Sequence, residues 1–306
     1  MERPCTGLVI RITGSDYITY DNGGTVRCSV RGRFRIGRSR DEVLPVVGDV
    51  VEYRREPAAD PRGAAGVIVS VGPRRSVFRR AGSGHRAERV LGANLDDVFL
   101  VHAVRAPRLN RRLIDRMIVA AARDGIEPVV CINKIDLARS PDEYQDVASS
   151  YERAGYIVIP CCAGDGRGVD RLRAMMQGRT TMLAGPSGTG KTSLLAAIEP
   201  GLESRIADVS ASTGKGRHTT THFELHPLSG GGWLADTPGF REFGVHDIEP
   251  AELAEYFRDF EPFLGQCRFS QCTHSHEPSC AVKDAVETGG IEAARYESYL
   301  RILADL

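Results

Sequence analysis

Four short groups of residues in this 306-residue chain have the types and spacing to do chemistry. The first is Gly185-Pro186-Ser187-Gly188-Thr189-Gly190-Lys191-Thr192, followed by Ser193. It fits G-x-x-x-x-G-K-[ST], in which glycines let backbone N–H groups turn inward around phosphate oxygens and a helix N-terminus adds partial positive charge. Lys191 would reach the β- and γ-phosphates, and the Thr192 hydroxyl would ligate Mg²⁺. The second is Asn133-Lys134-Ile135-Asp136, a guanine reader when it ends a strand. The Asp136 carboxylate accepts from the base's N1–H and exocyclic NH₂, while Asn133 bonds the imidazole edge and the Lys134 stem lies across the ring. Adenine lacks that donor pair, so buried polar groups would be left unpaired.

The third is Asp236-Thr237-Pro238-Gly239, which offers a carboxylate near Mg²⁺ and, at Gly239, a backbone N–H for the γ-phosphate. The loop Gly216-Arg217-His218-Thr219-Thr220-Thr221 offers threonines to the same ion, Thr220 among them; its plainer reading is an exposed polar loop. The fourth is Cys267-x4-Cys272-x-His274-x5-Cys280, three thiols and one imidazole suited to a closed tetrahedral structural Zn²⁺ site. His276 is a nearby alternative ligand, and free cysteines in a helical loop are the plainer alternative. Cys5, Cys28, Cys131 and Cys161 are scattered and read as packing residues.

The elements that must position these groups follow from periodicity. Val26, Cys28 and Val30 alternate with Arg27, Ser29 and Arg31, and Phe34 and Ile36 alternate with Arg33 and Arg35, predicting one buried and one arginine-lined face. Asp21-Asn22-Gly23-Gly24 is a hairpin turn. With strands expected at 50–53 and 66–71, residues 7–80 predict a small barrel of the OB type, a frequent nucleic-acid platform. Tyr17, Tyr20, Phe34 and Tyr53 are then either core residues or base-stacking groups. The Gly- and Arg-rich stretch 72–92 reads as a connector.

Strands at 97–103, 127–132, 156–160 and 181–184 alternate with helices at 109–121, 141–154, 169–176 and 193–198, which predicts a mainly parallel sheet covered on both faces. Residues 210–222 have no hydrophobic period and read as a loop. Strands are expected at 222–228 and 233–235. From Ile248 onward the chain reads as helical, interrupted by the Cys/His cluster.

Composition agrees with a globular protein of two or three domains: 42% of residues are hydrophobic and 26% charged. No apolar run approaches the ~20 residues of a membrane span, and the first residues lack the basic and apolar regions of a secretory leader. A cytoplasmic location without membrane association is expected, in which eight cysteines serve as thiols or metal ligands rather than disulfides. Net charge is zero, yet residues 1–90 hold 17 Arg and no Lys against 10 Asp+Glu, a net of +7. That excess points either to an anionic partner such as nucleic acid or to a solvated face.

The order of the motifs is unusual. The base reader precedes the phosphate loop, which precedes the threonine loop and Asp236, whereas ordinary GTPases begin with the phosphate loop. The same sheet is kept if the chain is circularly permuted, because termini of compact domains often lie close together. The loop after Gly239 then leads directly into the C-terminal segment, so loss of γ-phosphate contacts could move that segment.

With Val47-Gly48-Asp49, Ala93-Asn94-Leu95-Asp96 and the Gly-Arg-His-Thr-Thr-Thr loop added, the chain resembles, over essentially its whole length, the RsgA/YjeQ family of circularly permuted, ribosome small-subunit-dependent GTPases. The resemblance implies a multidomain α/β chain. It has an OB-like barrel (1–80), a permuted P-loop GTPase domain (81–245) and a small helical zinc-binding domain (246–306). It implies GTP hydrolysis to GDP and phosphate with Mg²⁺, stimulated by the small ribosomal subunit and its rRNA and serving late maturation of that subunit. A monomer is expected.

Two residues depart from the family pattern: Thr189 stands where Val is usual, and Cys162 where a Ser usually precedes Ala163, whose backbone N–H contacts guanine O6. Phe240, following Gly239, cannot orient a water as Gln does in many GTPases. Slow intrinsic turnover is therefore expected. By resemblance, and by its place beside the threonines, His218 joins Lys191 as a catalytic candidate; its rival roles are an rRNA contact or a flexible loop residue. The alternative function is a GTP-dependent regulator of a non-ribosomal complex. A nucleotide-dead RNA-binding module is disfavoured because Lys191, Thr192, Asp136 and Asp236 are all present.

Overall fold

A computed structural model describes residues 3–22, 24–30, 44–56, 65–80, 89–202, 223–236 and 248–306. It divides into two compact units, residues 1–96 with 176–182 and 208–240, and residues 97–175 with 183–207 and 241–306. Phe34, Ile36, Gly23 and the loop 210–222 lie outside the described residues.

In the first unit, β1 (Cys5–Thr13), β2 (Asp16–Asp21), β3 (Gly24–Val30), β4 (Val50–Arg55) and β5 (Gly66–Val71) close a barrel in the order β1-β2-β3-β5-β4. β3 and β5 pair in parallel, and the other pairings are antiparallel. Closure removes the free strand edges a small sheet would otherwise expose. Val9, Tyr17, Cys28, Val30, Val51, Tyr53 and Ile68 fill the interior. Thus Tyr17 and Tyr53 are core residues. Tyr20 is partly exposed and meets Trp233 edge-on at 5.0 Å. The expected alternation holds along β3 except at Ser29, which is buried.

The Val47-Gly48-Asp49 turn fastens the barrel to the strands that follow. Asp49 is fully buried and accepts from the Val46 amide at 2.7 Å and from Arg74 at 2.8 and 2.7 Å. Asn94 donates to the Gly48 carbonyl and accepts from the Arg75 amide, both at 2.9 Å. A Cβ on Gly48, whose φ is +91°, would sit 1.9 Å from the Ala93 carbonyl oxygen. The stretch 72–92 is not a plain connector. It forms an antiparallel ribbon of β6 (Val77–Arg80) and β7 (Arg89–Ala93). Its Gly/Arg composition hides two short apolar runs, whose Phe78 is fully buried and stacks on Phe223 at 5.5 Å.

The second unit carries β8 (Asp97–Ala103), α1 (Arg111–Arg123), β9 (Glu127–Asn133), α2 (Asp142–Arg153), β10 (Ile157–Pro160), α3 (Val169–Met176) and α4 (Lys191–Ile198), while β11 (Thr180–Ala184) begins in the first unit and ends in the second. The strand order is β10-β9-β8-β11, with β8, β9 and β10 parallel. All seven residues of β8 are buried, as expected of a strand covered on both faces. β11 also pairs in the first unit with β13 (Trp233–Asp236), in parallel; β12 (Glu224–Pro227) pairs antiparallel with β13 at the edge. α1 begins after Leu109: the Asn110 side chain caps it by accepting from the Leu113 amide at 3.3 Å. Ile114, Met117, Ile118 and Ala121 form its buried stripe, and Asp115 is buried with them.

That buried carboxylate is explained by the C-terminal residues. Two 3₁₀ turns (Leu253–Tyr256 and Arg258–Phe263) precede α5 (Ala281–Glu287) and α6 (Ala293–Ala304), around a core that includes Leu253, Phe257, Phe260, Tyr299 and Ile302. Arg295 of α6 is 3% exposed, pairs with Asp115 and, at 2.9 Å, with Asp259, and lies 4.7 Å over the Phe257 ring. Glu292 is shared by Arg111 (3.2 Å) and Arg153 (3.0 Å). Removing one member of a buried pair leaves an uncompensated charge. Arg295→Met is expected to lower stability by about 3–5 kcal/mol, read as the shift in the urea midpoint. Arg301→Met, which breaks only an exposed pair, should change it by less than about 1 kcal/mol.

Candidate nucleotide and metal sites

β11 ends at Ala184, and the chain turns abruptly into the loop 185–190. Gly185 has φ +147°, and a Cβ there would lie 2.2 Å from the Val101 carbonyl oxygen of β8, so only glycine fits against the neighbouring strand. Gly188 and Gly190 also have positive φ, and Gly190 serves as the N-cap of α4 without a side-chain cap. The first-turn amides of α4 therefore face the loop without competition from a capping side chain, the arrangement suited to an anion. Lys191 folds back over the loop and donates to the Gly185 and Pro186 carbonyls at 2.7 and 2.8 Å. The Thr189 hydroxyl donates to the same Pro186 oxygen at 3.0 Å. Ser187, Thr192 and Ser193 are exposed, and the Thr192 hydroxyl stands in the first turn of α4.

The candidate base-reading residues Asn133 and Lys134 converge on that loop. Asn133 ends β9 with 1% exposure, and its Nδ2 donates to the Thr189 carbonyl at 2.9 Å. Lys134 has a left-handed backbone (φ +58°), and its Nζ bridges the Ala106 and Gly188 carbonyls, each at 2.6 Å. Asp136 follows in a single 3₁₀ turn (Ile135–Leu137). Cys162 and Ala163 stand just beyond β10, and the Cys162 thiol donates to Asp136 Oδ1 at 3.1 Å. The second unit thus brings together Asn133, Lys134, Asp136, Cys162, Ala163 and residues 185–193. Asp236 ends β13 in the first unit. His218, Thr220 and Gly239 lie outside the described residues, as does Phe240.

Two groups at this site escaped motif reading. The Ala106 carbonyl carries no side-chain signal, since the contact is backbone. His102, next to last in β8, is 2% exposed, and its Nε2 has no hydrogen-bond partner among the described residues. Burial, and then the charge of Lys191, push its pKa down to about 4, so the ring is neutral at pH 7. Burial likewise lowers the Lys191 pKa.

The second site is a knuckle before α5. The ligand atoms of Cys267, Cys272, His274 and Cys280 all lie within 4.8 Å of one another. His274 Nδ1 is 3.5 Å from Cys267 Sγ and 3.3 Å from Cys280 Sγ, so this nitrogen faces the thiols. His276 is exposed and bonded to Ser275 instead, outside the cluster. The knuckle is held from α6, where Tyr296 and Tyr299 donate to the His274 and Thr273 carbonyls at 2.7 and 2.6 Å. Glu277 braces it from inside. Burial alone would raise its pKa, but donors from Thr273 and Ser275 outweigh burial and hold it at about 2. Four convergent donors of this kind could hold one metal ion. Of the other cysteines, Cys28, Cys131 and Cys161 are buried and Cys5 is half-buried.

No helix among the described residues is long and apolar enough to cross a membrane. The pattern of the RsgA GTPase family matches residues 71–246, and that of the RsgA N-terminal domain matches residues 6–61. The small ribosomal subunit biogenesis GTPase RsgA of Moorella thermoacetica is 40% identical over 98% of this chain and 97% of its own. That of Gemmatimonas aurantiaca is 39% identical over 100% and 99%. Among solved structures, YjeQ from Thermotoga maritima superposes with a TM-score of 0.78 at 34% identity, covering 99% of both chains. YloQ, a circularly permuted GTPase, gives 0.77 at 31% identity, covering 99% of this chain and 95% of its own. The barrel, the permuted order of motifs around the phosphate loop and these full-length likenesses lead to one conclusion: this chain belongs to the RsgA GTPase family.

Proposed function

We propose that this chain hydrolyses GTP to GDP and phosphate in the service of small ribosomal subunit biogenesis. The observation that carries the nucleotide reading is the bonding of Asn133 and Lys134 to the Thr189 and Gly188 carbonyls, which joins base reader and phosphate cradle in one rigid constellation. In this reading Asp136 accepts from guanine N1–H and NH₂, and Asn133 reaches the imidazole edge. The Ala163 amide, beside Cys162, meets O6. Residues 185–193 wrap the phosphates, and the Lys191 ammonium exchanges its two carbonyl partners for phosphate oxygens. Thr192, Thr220 and Asp236 would hold Mg²⁺, which neutralises charge between the phosphates, and the Gly239 amide would meet the γ-phosphate.

The attacking water needs a positioning group other than Phe240, and His218 is assigned that role. Its full effect is expected only once a partner docks. The basic barrel would grip rRNA of the small subunit. The knuckle's donor set, three thiols and an imidazole, suits one structural Zn²⁺. The three working parts are residues 1–80, 81–245 and 246–306, in a cytoplasmic monomer.

The first test is steady-state GTP hydrolysis with and without purified small subunits, with ATP and large subunits as controls. A low basal rate raised only by small subunits is expected. An unchanged rate would leave a GTPase serving some other complex.

Asp136→Asn should weaken GTP binding by about 100-fold or more, since the amide keeps one acceptor but sets an NH₂ against the other base donor, losing one hydrogen bond to a charged group, worth roughly 1.5–3 kcal/mol, and leaving donors unpaired at about 1–3 kcal/mol more. Titration of a fluorescent guanine nucleotide measures this. His218→Ala should lower subunit-stimulated kcat by roughly 10²–10⁴ with a smaller change in KM; equal kcat would remove His218 from the chemistry. Metal analysis should find about one zinc per chain in the parent protein and none in Cys272→Ser. Loss of the metal should also destabilise the C-terminal residues to heat.

A further inference from the structure

Two carboxylates stand opposite each other on the last pair of strands in the first unit. The register of β12 and β13 sets Glu224 directly across from Asp236, so both side chains share one face of the ribbon. Like charges placed in this way are destabilising unless a cation offsets them. The barrel supplies one: Arg11 of β1 pairs with Glu224 at 3.2 Å, and the two side chains are only 25% and 21% exposed. A second contact, Tyr20 of β2 edge-on to Trp233 of β13, seats the same barrel hairpin on the same ribbon. All of these residues belong to the first unit.

We propose that Arg11 and Glu224 set how strongly Asp236 holds its divalent cation, as positioning residues that act on Asp236 through charge and are not themselves ligands. This inference rests on the reading of Asp236 as a Mg²⁺ ligand given above. The donor chemistry fits that ion, since carboxylate oxygen is what Mg²⁺ takes from a protein. Among the three side chains one negative charge is in excess, which also suits a cation.

The signs follow from Coulomb's law. The Glu224 charge draws a cation toward this end of the ribbon, and the Arg11 guanidinium offsets that pull. His226, the other titratable residue of β12, adds nothing, because burial first and Arg11 second push its pKa down to about 4 and leave the ring neutral. Removing Arg11 therefore exposes the ion to a second carboxylate, whereas removing the Glu224 charge leaves a guanidinium facing Asp236. A contact that served only to hold barrel and ribbon together would give both losses the same sign. Through this pair the barrel has an electrostatic hold on the metal-ligand end of β13.

The test uses Mn²⁺ as the probe ion, titrated at pH 8 into the full chain bound to GDP, with its dissociation constant read from loss of the free-ion EPR signal. Arg11→Met should tighten Mn²⁺ about three- to tenfold and Glu224→Gln should weaken it by about as much, the effect of one partly screened unit charge on a divalent ion. The double variant should return to within about twofold of the parent, since the two charges cancel. Arg11→Lys, which keeps the charge, should bind as the parent does. Arg11→Gln covers the case in which the methionine variant fails to fold.

Shifts of the same sign in the two single variants, or no shift in either, would overturn the proposal. So would a lysine variant that behaves like the methionine one. Asp236→Asn separates this failure from that of the underlying reading: if it binds Mn²⁺ as tightly as the parent, Asp236 is not a ligand and the Mg²⁺ assignment itself falls.

Discussion

The buried amide of Asn133 is the contact on which the nucleotide site depends. A side chain with 1% exposure must find partners inside the protein. It finds one in the Thr189 carbonyl, in the middle of the phosphate loop. The end of β9 and the loop after β11 are thereby joined across β8, which lies between them in the sheet order. Lys134 adds a second tie from a left-handed backbone position. Gly190 is required for the same reason, since a Cβ there would stand 2.6 Å from Asn133 Nδ2. In the proposed reading, recognition of the base and of the phosphates is consequently one geometric problem, set at the C-terminal ends of parallel strands where α/β sheets place their ligands.

The C-terminal residues answer to a different constraint. α6 meets the helices of the GTPase core through charge: Arg295 reaches Asp115 on α1 in a buried pair, and Glu292, at the start of α6, is shared by Arg111 and Arg153 in more exposed ones. The tyrosines of the same helix hold the carbonyls of the Cys/His knuckle. Knuckle and core are therefore connected through α6 by directional contacts. A displacement of the knuckle that followed the nucleotide state would have to carry α1 with it or break these pairs. Breaking a desolvated pair costs several kcal/mol, so coupled movement of α1 and α6 is the cheaper route.

Much of the site was legible in the chain because its motifs are local. A phosphate loop, a four-residue base reader and a closely spaced Cys/His set each sit within a few residues, and their identity follows from spacing alone. Strands and helices were legible where one face is buried, as along β3 and α1. The misread stretch 72–92 shows the limit: β6 and β7 are too short for periodicity, and their burial depends on Phe223, more than a hundred residues further on. Asp115 was invisible for a related reason. A carboxylate within an apolar stripe reads as surface until the guanidinium that neutralises it is known, and Arg295 lies 180 residues away.

By itself the sequence determined the inventory: a phosphate cradle, a base reader, a metal-ligand set, a β-rich basic start, and a motif order that only a permuted sheet accommodates. These follow from residue type and short spacing, which act before the chain folds. Tertiary structure alone decided the partners. It set the Asn133 amide on Thr189 rather than on solvent, the Cys162 thiol on Asp136, and His274 rather than His276 among the thiols. Each choice depends on distances between segments far apart in the chain. Burial then makes those distances consequential, because a polar atom shut away from water must take the partner the fold brings to it.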